Sequence, residues 1–177
     1  MTNGKAGGQD GRTAKGYHSF DDDSEGYDLR ERDFVRANLF PGFEWLTFET
    51  PSPRNRLAKP LSEARIGLIS TAGGHLLGER PMGPGGTVRP LRVDATELVL
   101  SHEGYDTQRA MQDTETVFPG RTLLSMASAG QIGSVAPLAV STMGYIPEGR
   151  RVLDRTVPAA YDLLRNQDVD LALLVPA

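Results

Sequence analysis

The histidine at position 102 is the residue of this sequence best suited to acid–base chemistry. Imidazole titrates near neutral pH, and a neighbouring carboxylate such as Asp106 could orient the ring. Both residues could equally satisfy backbone groups in a tight turn, because aspartate does this well. The residues alone therefore leave two interpretations open, a general acid or base at His102 and a purely structural turn.

A divalent metal is a further possibility in the same stretch. The run from His102 to Asp106 approaches the zinc-binding pattern H-E-x-x-H, but Asp106 replaces the second histidine and an internal glycine disfavours a helix. An oxygen-rich site could still combine His102 with Asp106, Asp113 or Glu115. We assign no metal ligand or cofactor from this pattern, and a metal-dependent enzyme stays open as an alternative.

A second candidate site follows an apolar run at 64–70 that predicts a buried strand. This run leads into Gly73, Gly74 and His75, and open α/β sheets bind ligands at the carboxyl ends of their strands. The glycines could approach a phosphate, although they do not form G-x-G-x-x-G. His75 could meet His102 in space, since a second predicted strand at 96–101 precedes His102, or it could bond to a loop carbonyl.

Other polar residues have several possible roles. Arg89 and Arg109 could clamp an anionic substrate or lie at the surface. Asp113 and Glu115 could form a paired-carboxylate site, cap the helix that follows or lie in a solvated loop. No serine lies in the pattern G-x-S-x-G, so the sequence gives a serine hydrolase no support.

Composition limits the function classes. The chain has 177 residues, the size of one domain, and no cysteine, which excludes disulfides, thiolate nucleophiles and cysteine-bound zinc. A net charge of −4 offers no basic face for nucleic acid. No apolar run approaches the roughly 18 residues that a membrane helix needs. We predict a cytoplasmic protein with neither nucleic acid nor a membrane as a partner.

Strand-like and helix-like segments alternate along the chain, which predicts an α/β fold. We expect a single layered domain with a mostly parallel, Rossmann- or flavodoxin-like sheet and long loops rich in glycine and proline. Residues 1–26 are polar and predict a disordered tail. Residues 27–58 predict an amphipathic helix and an aromatic arm, and residues 59–177 predict the α/β domain.

Four further elements are expected within that domain. A helix is predicted at 121–129, and another that begins with Thr156 as its cap. The segment 132–140 should be an edge or irregular strand, because Pro137 lies inside it. The apolar run 171–175 predicts a central parallel strand.

Six ordered segments carry a resemblance to a known family. They lie at 59–76, 101–106, 113–119, 130–137, 143–145 and 169–176. Together they resemble the selenoprotein B family of the glycine, sarcosine, betaine and D-proline reductases. Members of that family cleave a C–N bond of an amino acid or derivative reductively, using a selenocysteine or cysteine that closely follows the last of these segments.

The resemblance implies an oxidoreductase component that needs a partner, because this chain has no cysteine and ends shortly after that segment. It implies catalytic roles for His102, Asp106 and Asp113. The candidate substrate-binding residues in or beside these segments are Gly73, Gly74, His75, Glu115 and Tyr145, and Arg89 joins them as a possible clamp for an anionic substrate. We expect a small-molecule substrate and either a homo-oligomer or a heteromer with a chain that bears cysteine or selenocysteine.

Two departures from the family pattern bear on the site. The family tends to have asparagine at the position of Glu115 and histidine at the position of Ala139. If these positions bind substrate, the site has changed. A non-catalytic subunit that binds a ligand or another protein is therefore the alternative to a reductase component.

Overall fold

The computed structural model describes residues 26–45, 48, 50, 51, 53, 55–104 and 106–177. The predicted disordered tail lies outside these residues apart from Gly26, as do Leu46 and Thr47 of the predicted aromatic arm. The chain divides into two units, Met1–Glu44 and Trp45–Ala177. No helix in the described part of the chain has the length and apolar character needed to cross a membrane.

The described part of the first unit contains helix α1 (Tyr27–Asn38), which confirms that a helix forms where one was predicted. Gly26 precedes it in a left-handed conformation, with φ 78°. The Asn38 side chain donates to the Phe34 carbonyl at 2.8 Å, and the helix stops before Pro41.

The second unit contains short strands and helices that alternate along the chain. Its strands are β1 (Arg65–Ser70), β2 (Gly74–Leu76), β3 (Arg89–Arg92), β4 (Leu98–Leu100), β5 (Ser134–Val135), β6 (Leu138–Ser141) and β7 (Leu171–Val175). Its helices are α2 (Gln108–Gln112), α3 (Gly120–Ser128), α4 (Gly149–Arg151) and α5 (Val157–Arg165).

The main sheet is built around β1. Strands β5 and β6 pair with β1 in parallel along one edge, β7 pairs with it in parallel along the other, and β3 runs antiparallel to β6. Strands β2 and β4 form a separate antiparallel pair. These pairings confirm the predicted α/β fold with a mostly parallel sheet.

Strand β1 is buried because both of its faces are covered. Ile66 and Leu68 are only 4% and 1% exposed. Gly67 lies under α5, where an added Cβ would approach the Leu164 side chain to 2.8 Å. An apolar run with a glycine at this point therefore suits a central parallel strand on which a helix packs closely.

The segment around Pro137 is irregular, as its sequence predicts, and its first part, β5, pairs with β1 alone among the described strands. Proline cannot donate to a ladder, and the chain divides there into β5 and β6. The Gln167 side chain takes the place of a strand partner, since it accepts from Leu138 N at 2.8 Å and donates to Leu138 O at 2.9 Å. Strand β6 itself lies between β1 and β3.

The last helical segment begins earlier than predicted. Helix α4 starts at Gly149, and a π-helical turn over Val152–Thr156 joins it to α5. Thr156 does not cap a helix, because its hydroxyl donates to the Gly86 carbonyl at 2.8 Å. Pro158 has no backbone N–H to donate to the preceding turn. The π-helical turn before it is compatible with this missing hydrogen bond.

Strand β7 was expected at the centre of the sheet, and this is wrong for the described residues. It pairs there with β1 alone. Leu171, Leu173 and Leu174 are 45%, 39% and 58% exposed. Successive strand residues point to opposite faces, so apolar side chains are exposed on both faces of this edge.

Candidate functional site

The candidate site lies at the carboxyl ends of β1 and β6, where the two following segments run side by side. Gly73 N donates to Thr142 O at 2.9 Å, and Gly144 N donates to Thr71 O at 2.7 Å. Open α/β sheets bind ligands at this edge. The Thr142 hydroxyl is buried there without a hydrogen-bond partner among the described residues, so it is a polar atom that a ligand could satisfy.

Gly73 fixes the next segment of the site against this edge. Its φ is 68°, and an added Cβ would lie 1.9 Å from the Ser101 carbonyl oxygen. Ser101 N in turn donates to Gly73 O at 3.1 Å. The backbone can approach this closely only because residue 73 has no side chain. Gly74 then begins β2, and its carbonyl accepts from the Ser141 hydroxyl at 2.6 Å.

His75 lies within β2 rather than in the predicted loop, and only 4% of it is exposed. Its Nε2 lies 2.8 Å from Ser101 Oγ, and its Nδ1 lies 3.0 Å from Leu76 O. A carbonyl can only accept, so in the neutral ring Nδ1 carries the proton and Nε2 accepts from the Ser101 hydroxyl. The sequence did not single out Ser101, because only the pairing of β2 with β4 brings it to His75.

His102 and Tyr145 lie together across Gly104. Gly104 N donates to His102 Nδ1 at 2.9 Å. A Cβ at Gly104 would lie 2.9 Å from His102 Cε1 and 3.6 Å from Tyr145 Cβ. In the neutral ring the proton is therefore on Nε2. Burial lowers the pKa of His102 and outweighs the raising influence of the Glu103 carboxylate and of the Ala177 backbone.

The segment after β7 reaches the same place. Ala177 N donates to Thr71 Oγ1 at 2.8 Å. The Ala177 carbonyl oxygen lies 2.9 Å from where a Cβ of Gly144 would be. The carboxyl ends of β1, β6 and β7 thus converge beside His102.

The acidic residues of the predicted site stabilise local turns. Asp106 accepts from Gln108 N at 3.0 Å, and Asp113 accepts from Glu115 N at 3.1 Å. Both carboxylates are exposed. Of the roles considered for Asp113, capping of the following helical turn is the one that its hydrogen bond shows.

Glu115 caps helix α3. Its carboxylate accepts from the backbone and hydroxyl of Thr122 at 2.8 and 2.9 Å, and from the backbone and Nε of Arg121 at 3.2 Å each. Partial burial opposes ionisation, but these hydrogen bonds from Thr122 and Arg121 outweigh it and lower the pKa of Glu115. An anionic cap at a helix N-terminus is also favoured by the helix dipole.

Arg89 borders a cleft of about 660 Å³ that is also lined by Glu103, the neighbour of His102. Its guanidinium bonds to Glu79 Oε2 at 3.2 Å and to the Arg80 carbonyl at 2.8 Å. The cleft is formed mainly by the glycine- and proline-rich loop between β2 and β3. Arg109 lies on the exposed surface of α2 instead.

The described residues contain no group of three or more His, Asp or Glu side chains that could hold a metal ion. The carboxylates of Asp106, Asp113 and Glu115, which were the possible partners of His102, each accept backbone hydrogen bonds nearby in sequence. The site therefore offers polar side chains and backbone groups rather than a recognisable ligand set.

Comparison with known proteins finds one informative relative. The chain is 26% identical to D-proline reductase subunit gamma of Acetoanaerobium sticklandii over 130 residues, which cover 71% of this chain and 54% of that protein. The chain thus spans about half the length of the curated relative that it matches. No family model and no solved structure matches. The similarity supports a distant relationship between this chain and the D-proline reductase family.

Proposed function

We propose that this chain is a subunit, or the N-terminal part, of an oxidoreductase similar to the glycine, betaine, sarcosine and D-proline reductases. Such an enzyme cleaves a C–N bond of an amino acid or derivative reductively. The observation that carries the proposal is the similarity to a D-proline reductase subunit along a chain whose strand ends converge on His102 and Tyr145.

His102 is the proposed proton-transferring or substrate-orienting group. Burial lowers its pKa, so the ring is neutral near neutral pH. The neutral ring can take up a proton from the substrate ammonium group, and the imidazolium so formed, a stronger acid than free imidazolium, can return it to the nitrogen that leaves when the C–N bond breaks. Asp106 and Asp113 remain proposed members of the site whose carboxylates now serve as turn caps.

The proposed substrate contacts belong to two regions. Arg89 borders the cleft beside Glu103, where its charge attracts a substrate carboxylate. Tyr145 adjoins His102, and Gly73 and Gly74 shape the edge on which these segments meet. Both ring nitrogens of His75 are engaged, so it acts through Ser101. Glu115 stays a prediction, because its carboxylate caps α3.

A partner chain supplies the thiol or selenol in this proposal, since no cysteine is present among the 177 residues. Support comes from β7, which has apolar side chains exposed on both faces and pairs with β1 alone among the described residues. Strands with two apolar faces normally lie inside a parallel sheet. An open edge of this kind recruits another strand.

The test is reconstitution with a partner. The full chain is co-expressed with a cysteine- or selenocysteine-bearing reductase subunit, and purified complexes are assayed for cleavage of glycine, betaine, sarcosine and D-proline with a dithiol reductant. We expect turnover only by the complex. His102→Ala should lower kcat at least about 100-fold, the range expected for loss of a general acid, while the complex still assembles. The control is Arg92→Ala, at an exposed residue whose guanidinium pairs with Asp94.

A second candidate is a non-catalytic subunit that binds a ligand or another protein. The observation that favours it is the use of Asp106, Asp113 and Glu115 as local caps. The same reconstitution separates the two functions. Unchanged turnover in the His102→Ala complex would support the non-catalytic subunit and would contradict a catalytic role for this chain.

A further inference from the structure

Ser101 and His75 form a hydrogen-bonded pair with the geometry of a nucleophile and its base. The Ser101 hydroxyl donates to His75 Nε2 at 2.8 Å, and Nδ1 is held by the Leu76 carbonyl at 3.0 Å. The carbonyl fixes the tautomer in which Nε2 has a free lone pair for the serine proton. A hydroxyl, a base and a group that orients the base are the parts of an activated serine.

The pair is held by paired backbone rather than by a flexible loop. His75 lies in β2, opposite Val99 of β4, and Ser101 follows β4 directly. Gly73 fixes the Ser101 backbone from the other side, since Ser101 N donates to Gly73 O at 3.1 Å. A side chain at position 73 would displace Ser101, because its Cβ would lie 1.9 Å from the Ser101 carbonyl oxygen. Such support preorganises a reactive group.

An activated serine needs a base shielded from solvent and a hydroxyl that a substrate can reach. His75 is 4% exposed, so solvent does not compete for its Nε2. Ser101 is partly exposed, and reaction at its hydroxyl requires that the exposed part include Oγ.

We propose that Ser101 is a nucleophile activated by His75, and that it accepts an acyl group from an ester or thioester. Ser101 Oγ forms a bond to the carbonyl carbon while its proton passes to His75 Nε2. The C–O or C–S bond of the substrate then breaks, and the departing alcohol or thiol takes that proton. No electrons are exchanged with a cofactor, so this reaction does not depend on the reductase proposed above.

His75 has a carbonyl where serine proteases have an aspartate, and this difference limits the rate of acyl transfer that we expect. In serine proteases an aspartate orients the histidine and stabilises its charged form, and its replacement lowers kcat by about 10⁴. The orienting group here is the neutral Leu76 carbonyl, which has only a dipole to offer. We therefore expect an acyl-protein that forms measurably and turns over slowly.

The decisive experiment uses the absence of cysteine. Ser101→Cys introduces the only thiol of the chain, and a histidine beside a thiol favours the reactive thiolate. The matched control is Ser128→Cys, at an exposed serine whose hydroxyl donates to the Leu124 carbonyl rather than to a histidine. Circular dichroism and thermal melting establish that both variants fold.

We expect alkylation by iodoacetamide near neutral pH to be at least about tenfold faster in Ser101→Cys than in Ser128→Cys, which corresponds to about one pKa unit of thiolate activation. Adding His75→Gln to Ser101→Cys should remove this difference. Equal or slower alkylation in Ser101→Cys, or a rate that does not depend on His75, would overturn the proposal.

A second measurement needs no cysteine variant. The unmodified chain is incubated with a fluorophosphonate probe and with 4-nitrophenyl acetate, and adducts are located by peptide mass spectrometry. We expect a single predominant adduct on Ser101 that is absent from Ser101→Ala. Failure to label Ser101, or labelling spread evenly over other serines, would contradict activation by His75.

Discussion

At the scale of single residues, Gly73 has two separate reasons to be glycine. It adopts a positive φ of 68°, and a Cβ would collide with the Ser101 carbonyl oxygen at 1.9 Å. Gly78 has φ 84° but nothing within 4 Å of a built Cβ. Substitutions at the two positions therefore distinguish the cost of backbone strain from the cost of a steric collision.

We expect Gly73→Ala to lower the free energy of unfolding by about 3 kcal/mol or more, and Gly78→Ala by about 1–2 kcal/mol, the strain of a left-handed alanine alone. Urea denaturation of both variants measures the difference. Similar losses would show that the segment holding Ser101 moves away without penalty.

His102 should make stability depend on pH. Burial lowers the pKa of its ring in the folded protein, whereas the unfolded chain keeps the ordinary value of about 6.5. The unfolded state therefore takes up a proton at higher pH than the folded state. The stability contributed by neutral His102 is complete above the unfolded value and is lost as pH falls toward the folded one.

We expect His102→Gln to unfold with a free energy that declines less steeply than wild type between about pH 7 and pH 5. Chemical denaturation at several pH values gives both curves, and their difference removes the shared titration of carboxylates. Parallel curves would mean that His102 titrates alike in both states.

The site could be predicted from sequence only in part. The types and order of the residues pointed to His102, and the glycines pointed to a special backbone at 73–74. The pairing of His75 with Ser101 could not be foreseen, because it depends on the register of two three-residue strands. Such strands are too short for a periodic pattern.

At the scale of elements, the strand is interrupted at Pro137, and one side chain supplies hydrogen bonds to the residue that follows. Gln167 bonds to both backbone groups of Leu138 and also donates to the Leu163 carbonyl at 3.0 Å. It thereby joins the end of α5 to the start of β6. Removing it leaves partly buried peptide groups without partners, the expensive case in hydrogen-bond energetics.

We expect Gln167→Ala to lower the free energy of unfolding by about 2–3 kcal/mol. Gln112→Ala, at the exposed end of α2, should change it by less than about 0.5 kcal/mol. Thermal and urea denaturation report both values. A small effect at Gln167 would indicate that water replaces its amide at no loss.

Longer elements were predicted more successfully than short ones. The apolar run of β1 and the amphipathic pattern of α3 are confirmed. Strands β2 and β3 were missed, and the start of the last helical segment was placed too late, at Thr156 instead of Gly149. Tertiary pairing stabilises these pieces, since the chain there has little local preference of its own.

At the scale of the whole molecule, β7 predicts association. Its exposed leucines favour pairing with another chain, and a lysine on an edge strand opposes such pairing. We expect light scattering at micromolar concentration to show an oligomer of the chain alone, or a heteromer once the reductase partner is added. Leu174→Lys should weaken that assembly at least about tenfold, since it places a charge in an apolar contact.

The matched control is Leu77→Lys, because Leu77 is 71% exposed and lies in the turn after β2, outside the main sheet. It should leave assembly unchanged. A monomer under all conditions, or equal effects of the two lysines, would contradict an interface at β7.

The position of β1 also has a consequence for how the chain folds. In the described part of the chain, the strands that pair with it all come later in sequence, and the Arg65 backbone donates to the carboxylate of Asp170, 105 residues away. Contacts of such separation require large loops to close before any pairing energy is gained. Pairing over such separations slows folding, and during synthesis β1 lacks these partners until the later strands have been made.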